Sequence, residues 1–150
     1  MNQHLGRTFR FVELANVVNE LMPDYVHARI TSLLNEQRKS LNGSKVLLLG
    51  LAYKRGTSDW RESPSVVVAE RLAASGADIE FCDPHIPEVN ARNARFALVE
   101  FTPETLAAAD VVVVLVDHPE FDPAAIAEHA LLVFDAKNIM RDTGFTGEIL

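Results

Sequence analysis

Apolar residues recur every three or four positions between residues 11 and 40, and charged residues occupy many of the positions between them. This spacing is typical of a helix that buries one face. Pro23 interrupts the pattern, and a proline either kinks a helix or sits in the first turn of a new one. The segment 24–39 alone would be about 24 Å long at 1.5 Å per residue. We therefore predict a long, proline-interrupted helix ahead of the rest of the chain.

From residue 45 onward, short apolar runs alternate with helical segments. Residues 46–49 are all apolar, as in a strand that is buried on both faces of a parallel sheet. We predict strands at residues 45–49, 78–82, 96–101, 111–116 and 131–134. Between them we predict helices that begin at Ser63-Pro64, Thr102-Pro103 and Asp122-Pro123. This alternation predicts an α/β fold, with a Rossmann-like parallel sheet of five to six strands and helices on both faces.

Length and composition fit one globular domain with a helical appendage. The chain has 150 residues, of which 48% are hydrophobic and 23% are charged. These values are close to those of ordinary soluble proteins and argue against disorder or a coiled coil. We divide the chain into a helical region, residues 1–40, and an α/β domain, residues 41–150.

Three features of the sequence bear on location. The longest apolar stretch, residues 46–53, is far shorter than the roughly 18 residues that a membrane span needs. The first residues have no apolar segment behind a basic one, which a secretory signal would require. The single cysteine, Cys82, has no partner for an internal disulfide. We expect a cytoplasmic protein that does not enter a membrane.

The net charge of −7 is concentrated in the second half of the chain. Residues 83–150 carry 12 acidic side chains and four Lys or Arg, whereas residues 1–82 carry nine acidic and ten basic side chains. A negative surface repels a phosphate backbone, so DNA and RNA are poor candidate partners. A small anion can still bind where the positive charges gather.

Positive charges gather in the loop after the first predicted strand, residues 50–63, where an α/β sheet would bind its ligand. The loop lacks the Gly-x-Gly-x-x-Gly dinucleotide fingerprint. In one interpretation, Lys54 and Arg61 bind phosphate oxygens, helped by the backbone amides of residues 63–65 at the helix start. In the other, Asp59 and Glu62 neutralise the neighbouring arginines and the loop is only surface. The sequence leaves both interpretations open.

Three segments carry a resemblance to a known family: VNELMPDYV, GLAYKRGTSDWRESPS and, after the next helix, DIEFCDPHIP. Together they resemble the C-terminal, nucleotide-sugar-binding domain of the UDP-glucose/GDP-mannose dehydrogenase family. The chain is most similar to the branch that oxidises UDP-N-acetylhexosamines such as UDP-GlcNAc and UDP-ManNAc. The likeness extends from about residue 11 to residue 140.

The resemblance implies a function for the larger enzyme to which such a domain belongs, and it implies that this chain carries out part of that function. The family oxidises the C6 alcohol of a UDP-sugar to a carboxylate in two hydride transfers to NAD, through a thiohemiacetal on a catalytic Cys. The NAD-binding domain and that Cys are expected to lie outside this chain, so we predict no catalytic residue, no metal site and no activity for it alone. The family's helical region also implies a homodimer formed through residues 1–40.

Four residues take roles from the family pattern. Lys54 corresponds to a lysine that contacts the nucleotide sugar, and Tyr53 to its neighbour lining the same pocket. Arg61 corresponds to an arginine that reaches toward NAD across the interdomain cleft. Lys137 lies where relatives carry a basic residue near the nucleotide sugar, often Arg, whose bidentate fork Lys lacks. Arg55 receives no role.

Asp83 bears on the alternative function, a stand-alone NAD- or nucleotide-binding Rossmann-like domain with a regulatory or assembly role. It follows the second strand, where an NAD-binding domain places its ribose carboxylate. With Pro84 beside it and no glycine fingerprint, we predict a turn-forming Asp instead. Cys82, just before it, is predicted to be a core thiol of low reactivity.

The loop after the fourth strand and one turn residue complete the candidates. Asp117 and His118 could form an acid–base couple. We favour instead a loop that packs Phe121 and helps to shape the nucleotide pocket. His85 is predicted to be a solvent-exposed turn residue.

Overall fold

The computed structural model describes residues 21–52, 60–88 and 95–150. Residues 21–36 form helix α1, which continues through Pro23. Two residues beyond the end of the helix, Arg38 adopts the left-handed conformation, with a φ of 58°. Beyond it the N–H of Lys39 donates to the Leu34 carbonyl at 2.9 Å, which satisfies one of the last carbonyls of the helix. The predicted helix is therefore confirmed for residues 21–36, with its end at residue 36 rather than 39; its predicted part before residue 21 lies outside the described residues.

Among the described residues, three further helices and six strands have both ends defined after α1. The strands are β1 (Lys45–Leu49), β2 (Asp78–Cys82), β3 (Ala97–Leu98), β4 (Val111–Val114), β5 (Val133–Asp135) and β6 (Gly147–Ile149). The helices are α2 (Pro64–Ala74), α3 (Pro103–Ala108) and α4 (Pro123–His129). Each of these helices begins with proline after the N-cap that the sequence predicts: Ser63, Thr102 and Asp122. No helix in the described ranges is both long and apolar enough to cross a bilayer.

The six strands form one parallel sheet in the order β3-β2-β1-β4-β5-β6. This order is that of a doubly wound Rossmann-type sheet, and the predicted fold class is confirmed. The chain reverses its direction of winding between β1 and β4, which are neighbours in the sheet. In such sheets the ligand site lies at the carboxyl ends of the strands near this reversal.

The core has two layers, one on each face of the sheet. Alternate residues of β1 point to opposite faces, so Val46 and Leu48 pack in one cluster and Leu47 and Leu49 in the other. The first cluster includes buried residues of α1 and α2, and the second includes residues of α3 and α4. Helix α1 is therefore one of the two helices that cover a face of the sheet, and its Ile30 is fully buried.

Strands β3, β4 and β5 differ from their predicted extents, β5 by starting at Val133 rather than at residue 131, and no bounds were predicted for β6. Edge strand β3 pairs only with β2, over two residues rather than six. Strand β4 ends at Val114 because β1 has ended: the next two amides, of Leu115 and Val116, both donate to the Leu49 carbonyl. The sequence of β6 has no run or alternation of apolar residues that would predict a strand. Its first residue, Gly147, lies so close to β5 that an added Cβ would be 1.7 Å from the Val133 carbonyl oxygen.

Candidate functional site

The loop after β1 is held at both of its described ends. Tyr53 and Lys54 lie outside the described residues, as do Arg55 and Asp59, but Ala52 just before them is fully buried. The Ala52 N–H donates to Asp83 Oδ2 at 2.9 Å, and its carbonyl accepts from the Ser63 hydroxyl at 3.1 Å. Residues 52 and 63 are thus in direct contact at the edge of the sheet.

Asp83 is the main organiser of this edge. Its carboxylate is buried and accepts hydrogen bonds from the backbone N–H groups of Leu51 and Ala52, both at 2.9 Å, and of His85 at 3.0 Å. His118 Nε2 lies 3.1 Å from each carboxylate oxygen. The bond to the His85 amide makes the predicted Asx turn. The bonds to the loop after β1 are an additional role that the sequence did not indicate.

These contacts decide between a turn-forming Asp83 and a ribose-binding one. A carboxylate has about four lone-pair sites, and here three backbone amides and one imidazole nitrogen already surround them. The residue is only 3% exposed, so a ribose hydroxyl has no access to it. The described residues therefore do not fit the adenosine half of an NAD site. This counts against the alternative of a stand-alone NAD-binding domain.

The loop after β4 packs as predicted around Phe121. Phe121 is 2% exposed, and its ring lies 5.4 Å from that of Phe101 and 5.5 Å from that of His118. The partner of His118 is Asp83 and not the adjacent Asp117, so the candidate acid–base couple of residues 117 and 118 is not formed. The contact between His118 and Asp83, which lie 35 positions apart, was not predicted from the sequence.

The start of α2 differs from the arrangement required by the phosphate-binding interpretation, one of the two that the sequence left open. The N–H of Ser63 donates to the Trp60 carbonyl at 3.1 Å, and the N–H of Ser65 donates to the Ser63 hydroxyl at 3.2 Å. Pro64 between them has no N–H. The direct contribution of the amides of residues 63–65 in that interpretation is therefore not supported, because the N–H groups of Ser63 and Ser65 already have partners. The helix end can act on an anion only through its dipole.

Lys137 is placed by a second strand-end aspartate. Asp135 is fully buried and accepts from the N–H groups of Lys137 at 2.9 Å and Met140 at 2.8 Å. Between them Asn138 adopts a left-handed conformation with a φ of 61°. This tight turn leaves the Lys137 side chain exposed, and it makes no ion pair within the described ranges. Sequence reasoning missed Asp135, although, like Asp83, it is an acidic residue at the end of an apolar strand.

A cavity of about 150 Å³ joins the turn after β5 to the start of α2. Lys137, Pro64 and Ser65 line it together with Met22 and Val26 of α1. Two predicted parts of the site, the basic residue after β5 and the beginning of α2, therefore meet at one concave surface beside α1.

Arg61 lies at the far end of the loop after β1. Its side chain is exposed, and it forms no ion pair with any residue in the described part of the chain, including the adjacent Glu62. The proposed neutralisation of this arginine by Glu62 is thus not seen. The matching proposal for Arg55 and Asp59 falls outside the described residues.

Cys82 and His85 complete the predicted positions. Cys82 is buried, and desolvation, with the negative charge of Asp83 next in effect, raises the pKa of its thiol to about 12. The prediction of an unreactive core thiol is confirmed. His85 lies in a turn as predicted, but its predicted exposure is wrong: it is half-buried because its ring packs on His118 with centroids 4.5 Å apart.

Residues 47–142 match the sequence profile of the UDP-glucose/GDP-mannose dehydrogenase family, UDP binding domain. Over 155 aligned positions the chain is 32% identical to a UDP-N-acetyl-D-mannosamine dehydrogenase of Methanococcus maripaludis, covering 94% of this chain and 34% of that protein. The chain thus spans about a third of the length of that relative.

Two solved structures have similar folds. The UDP-N-acetyl-mannosamine dehydrogenase from S. aureus superposes with a TM-score of 0.74 at 23% identity, over 96% of this chain and 34% of that one. A UDP-glucose dehydrogenase from Pyrobaculum islandicum gives a TM-score of 0.63 at 32% identity, over 79% of this chain and 27% of that one.

Proposed function

The chain belongs to the UDP-glucose/GDP-mannose dehydrogenase family through its UDP-binding domain, and on that basis we propose that it binds the UDP part of a UDP-sugar. The site lies at the carboxyl edge of the sheet, between the loop after β1 and the turn after β5. Relatives that match most of the chain are named UDP-N-acetyl-D-mannosamine dehydrogenases, so a UDP-N-acetylhexosamine is the first substrate to test.

The observation that supports this proposal most directly is the shared cavity beside Lys137. A cation that is exposed and has no ion-pair partner in the described part of the chain lies on the same concave surface as the start of α2. The positive end of a helix dipole and an unpaired ammonium both favour a diphosphate. A lysine acts here as a point charge on phosphate oxygens, without the bidentate geometry of arginine.

Tyr53 and Lys54 are proposed to complete the site from the loop after β1. The support is the attachment of Ala52, which directly precedes them and is fixed by hydrogen bonds to both Asp83 and Ser63. Lys54 would bind the diphosphate and Tyr53 would line the pocket.

NAD enters the proposal only as the hydride acceptor of the larger enzyme. Asp83 is fully engaged, so this chain would contribute to the cofactor through Arg61 alone, and a separate NAD-binding domain would hold the rest of it. The larger enzyme would oxidise the C6 alcohol of the sugar to a carboxylate. This chain alone is expected to produce no NADH from NAD and a UDP-sugar.

The proposal also includes partners and a location. Residues 1–40 would form a homodimer through the helical region, which light scattering would detect as twice the mass of the chain. A cytoplasmic location fits the single buried Cys82, for which the sequence offers no disulfide partner.

Calorimetric titration with UDP tests the binding site. Two or three charge-assisted hydrogen bonds of about 1.5–3 kcal/mol each, less the cost of association, give an expected Kd between about mM and µM. Lys54→Ala and Lys137→Ala should each weaken UDP about ten- to hundredfold. Arg61→Ala should leave the affinity unchanged, because Arg61 is assigned to the cofactor side.

Lys39→Ala is the matched control for these lysine variants. Lys39 pairs with Asp110 at 2.7 Å, near the start of β1 and therefore at the opposite edge of the sheet. Its removal changes the net charge by the same amount without touching the proposed site. Equal weakening by Lys39→Ala and Lys54→Ala, or no UDP binding by the unaltered chain at mM concentration, would refute the proposed site.

A further inference from the structure

Three side chains from two loops come together at the carboxyl edge of the sheet, where β2 and β4 end. His85 follows β2, and His118 and Glu120 follow β4. One potential ligand atom of each lies within 4.8 Å of the other two. They are the only such group of three or more His, Cys, Asp or Glu side chains among the residues that the structure describes.

The His85 ring nitrogen in this cluster is unsatisfied. Nε2 of His85 is buried and has no hydrogen-bond partner in the described structure. Glu120 Oε1 lies 3.1 Å away, which is close enough for an ion pair, but this contact does not meet the geometry of a hydrogen bond. The nitrogen therefore has a carboxylate beside it but no hydrogen bond of good geometry, so a ligand that engages it would be favoured.

The second histidine has the environment of a metal ligand. The buried His118 contacts the Asp83 carboxylate through Nε2. A carboxylate that accepts from one ring nitrogen orients the imidazole and makes it a better ligand for a metal. A bound ion would be coordinated by one ring nitrogen of His118 and would displace one of the contacts that this ring makes.

From this placement we propose that His85, His118 and Glu120 bind a divalent transition-metal ion, with Zn²⁺ as the first ion to test. Two imidazoles and one carboxylate are the ligands of open zinc sites, which keep a fourth position for water. Imidazole nitrogen favours zinc, nickel and copper over calcium and magnesium, which prefer oxygen ligands.

The local charge and access favour a cation. Glu120 also lines a neighbouring cavity of about 530 Å³, together with Asp83, Glu88 and Glu100. Four carboxylates around one cavity attract a cation, and the exposed Glu120 offers a route from solvent. Tetrahedral zinc with bonds of about 2.0–2.1 Å needs ligand atoms about 3.4 Å apart. His85 Nε2 and Glu120 Oε1 are already 3.1 Å apart, so only the longer separations, of up to 4.8 Å, must shorten, by at most about 1.4 Å.

The ion would join the loop after β2 to the loop after β4. Those loops flank the attachment point of the loop after β1, so the metal would stabilise the domain at this edge of the sheet. Binding to the folded state alone raises the melting temperature by mass action. For a Kd near 1 µM and about 100 µM Zn²⁺, the expected rise in Tm for a chain of this size is about 5–10 °C.

The test combines thermal melting in Zn²⁺ with titration by Co²⁺, whose visible absorption reports tetrahedral coordination. The unaltered chain should gain Tm in Zn²⁺ and bind one Co²⁺. His85→Ala and Glu120→Gln should fold without metal but bind Co²⁺ at least tenfold more weakly and gain little Tm in Zn²⁺.

His129→Ala is the matched control for these variants. His129 lies 3.7 Å from Glu128 on α4, so it is a second His–Glu pair outside the cluster. It should bind metal as the unaltered chain does. Absence of a Tm gain in the unaltered chain overturns the proposal. So do His85→Ala and Glu120→Gln variants that bind Co²⁺ as tightly as the control.

Discussion

Asp83 and His118 form a pair whose side chains are both completely buried, with His118 Nε2 3.1 Å from each Asp83 carboxylate oxygen. The two residues follow β2 and β4, and the same carboxylate accepts the amides of Leu51 and Ala52 after β1. Three adjacent strands of the sheet, β2, β1 and β4, therefore end in loops that one carboxylate holds together. We therefore expect the hydrogen bonds of the Asp83 carboxylate to determine both the stability of the domain and the position of the point where the loop after β1 is attached.

Asp83→Ala should lower the free energy of unfolding by about 3–5 kcal/mol, because several buried donors lose their acceptor at once. His118→Ala should cost less, since the backbone amides keep the carboxylate. In a double-mutant cycle measured by urea denaturation, the two losses should add to more than the loss of the double variant. A loss below about 1 kcal/mol for Asp83→Ala would contradict the role assigned to this carboxylate.

Ser63→Ala should both uncap α2 and release the loop after β1. The hydroxyl accepts from the Ser65 amide and donates to the Ala52 carbonyl, so the variant loses a cap and a buried tie together. We expect a loss of stability of about 2–3 kcal/mol, together with weaker UDP binding in calorimetry. Asp122→Ala is the control, because Asp122 caps α4 through its bond to the Ala124 amide and is far from that loop in sequence. It should cost about 1 kcal/mol and leave UDP affinity unchanged.

Local signals account for what the sequence predicted well. Strands β1 and β2 and helix α4 have the predicted bounds, because an apolar run or an Asp-Pro cap defines each within a few residues. Strand β6 carries no such signal; its position depends on Gly147 fitting closely against β5.

The candidate site was predicted less completely, because its contacts are long-range. The four donors around Asp83 and the cavity beside Lys137 involve residues that only the folded sheet brings together. Asp135, which holds the backbone of Lys137, has no sequence motif of its own. The resemblance to the family indicated roles for Lys54 and Arg61. It cannot indicate which backbone amides already have hydrogen-bond partners within the chain. That is why the phosphate-binding role of the amides at the start of α2, which one interpretation of the sequence included, is not supported.

Asp110 should make stability depend on pH in the acid range. Hydrogen bonds from the Lys39 side chain and the Lys45 backbone N–H hold the pKa of its carboxyl below the usual value. Since the folded-state pKa is the lower one, this stabilisation is fully present above the unfolded pKa of about 4 and is lost as pH falls through the folded value.

The measurement compares Asp110→Asn with the unaltered chain by urea denaturation between about pH 3 and pH 7. The variant should be less stable by up to about 1 kcal/mol near neutral pH, and the difference should shrink below pH 4. Asp142→Asn, at an exposed position, is the control and should show no such pH-dependent difference. A gap between Asp110→Asn and the unaltered chain that grows toward low pH would reverse the sign and contradict the assignment.

Gly50, the first residue after β1, should not tolerate a side chain. Its φ is 92°, and an added Cβ would lie 2.4 Å from Val116 Cβ, so Gly50→Ala combines backbone strain with a clash against the loop after β4. Gly43→Ala separates the two effects, because Gly43 has a similar φ of 84° but nothing within 4 Å of the new methyl group. We expect a loss of about 1–2 kcal/mol at Gly43 and at least about 1 kcal/mol more at Gly50. Equal losses in urea denaturation would mean that the loops after β1 and β4 can separate at little cost, which their joint attachment to Asp83 does not allow.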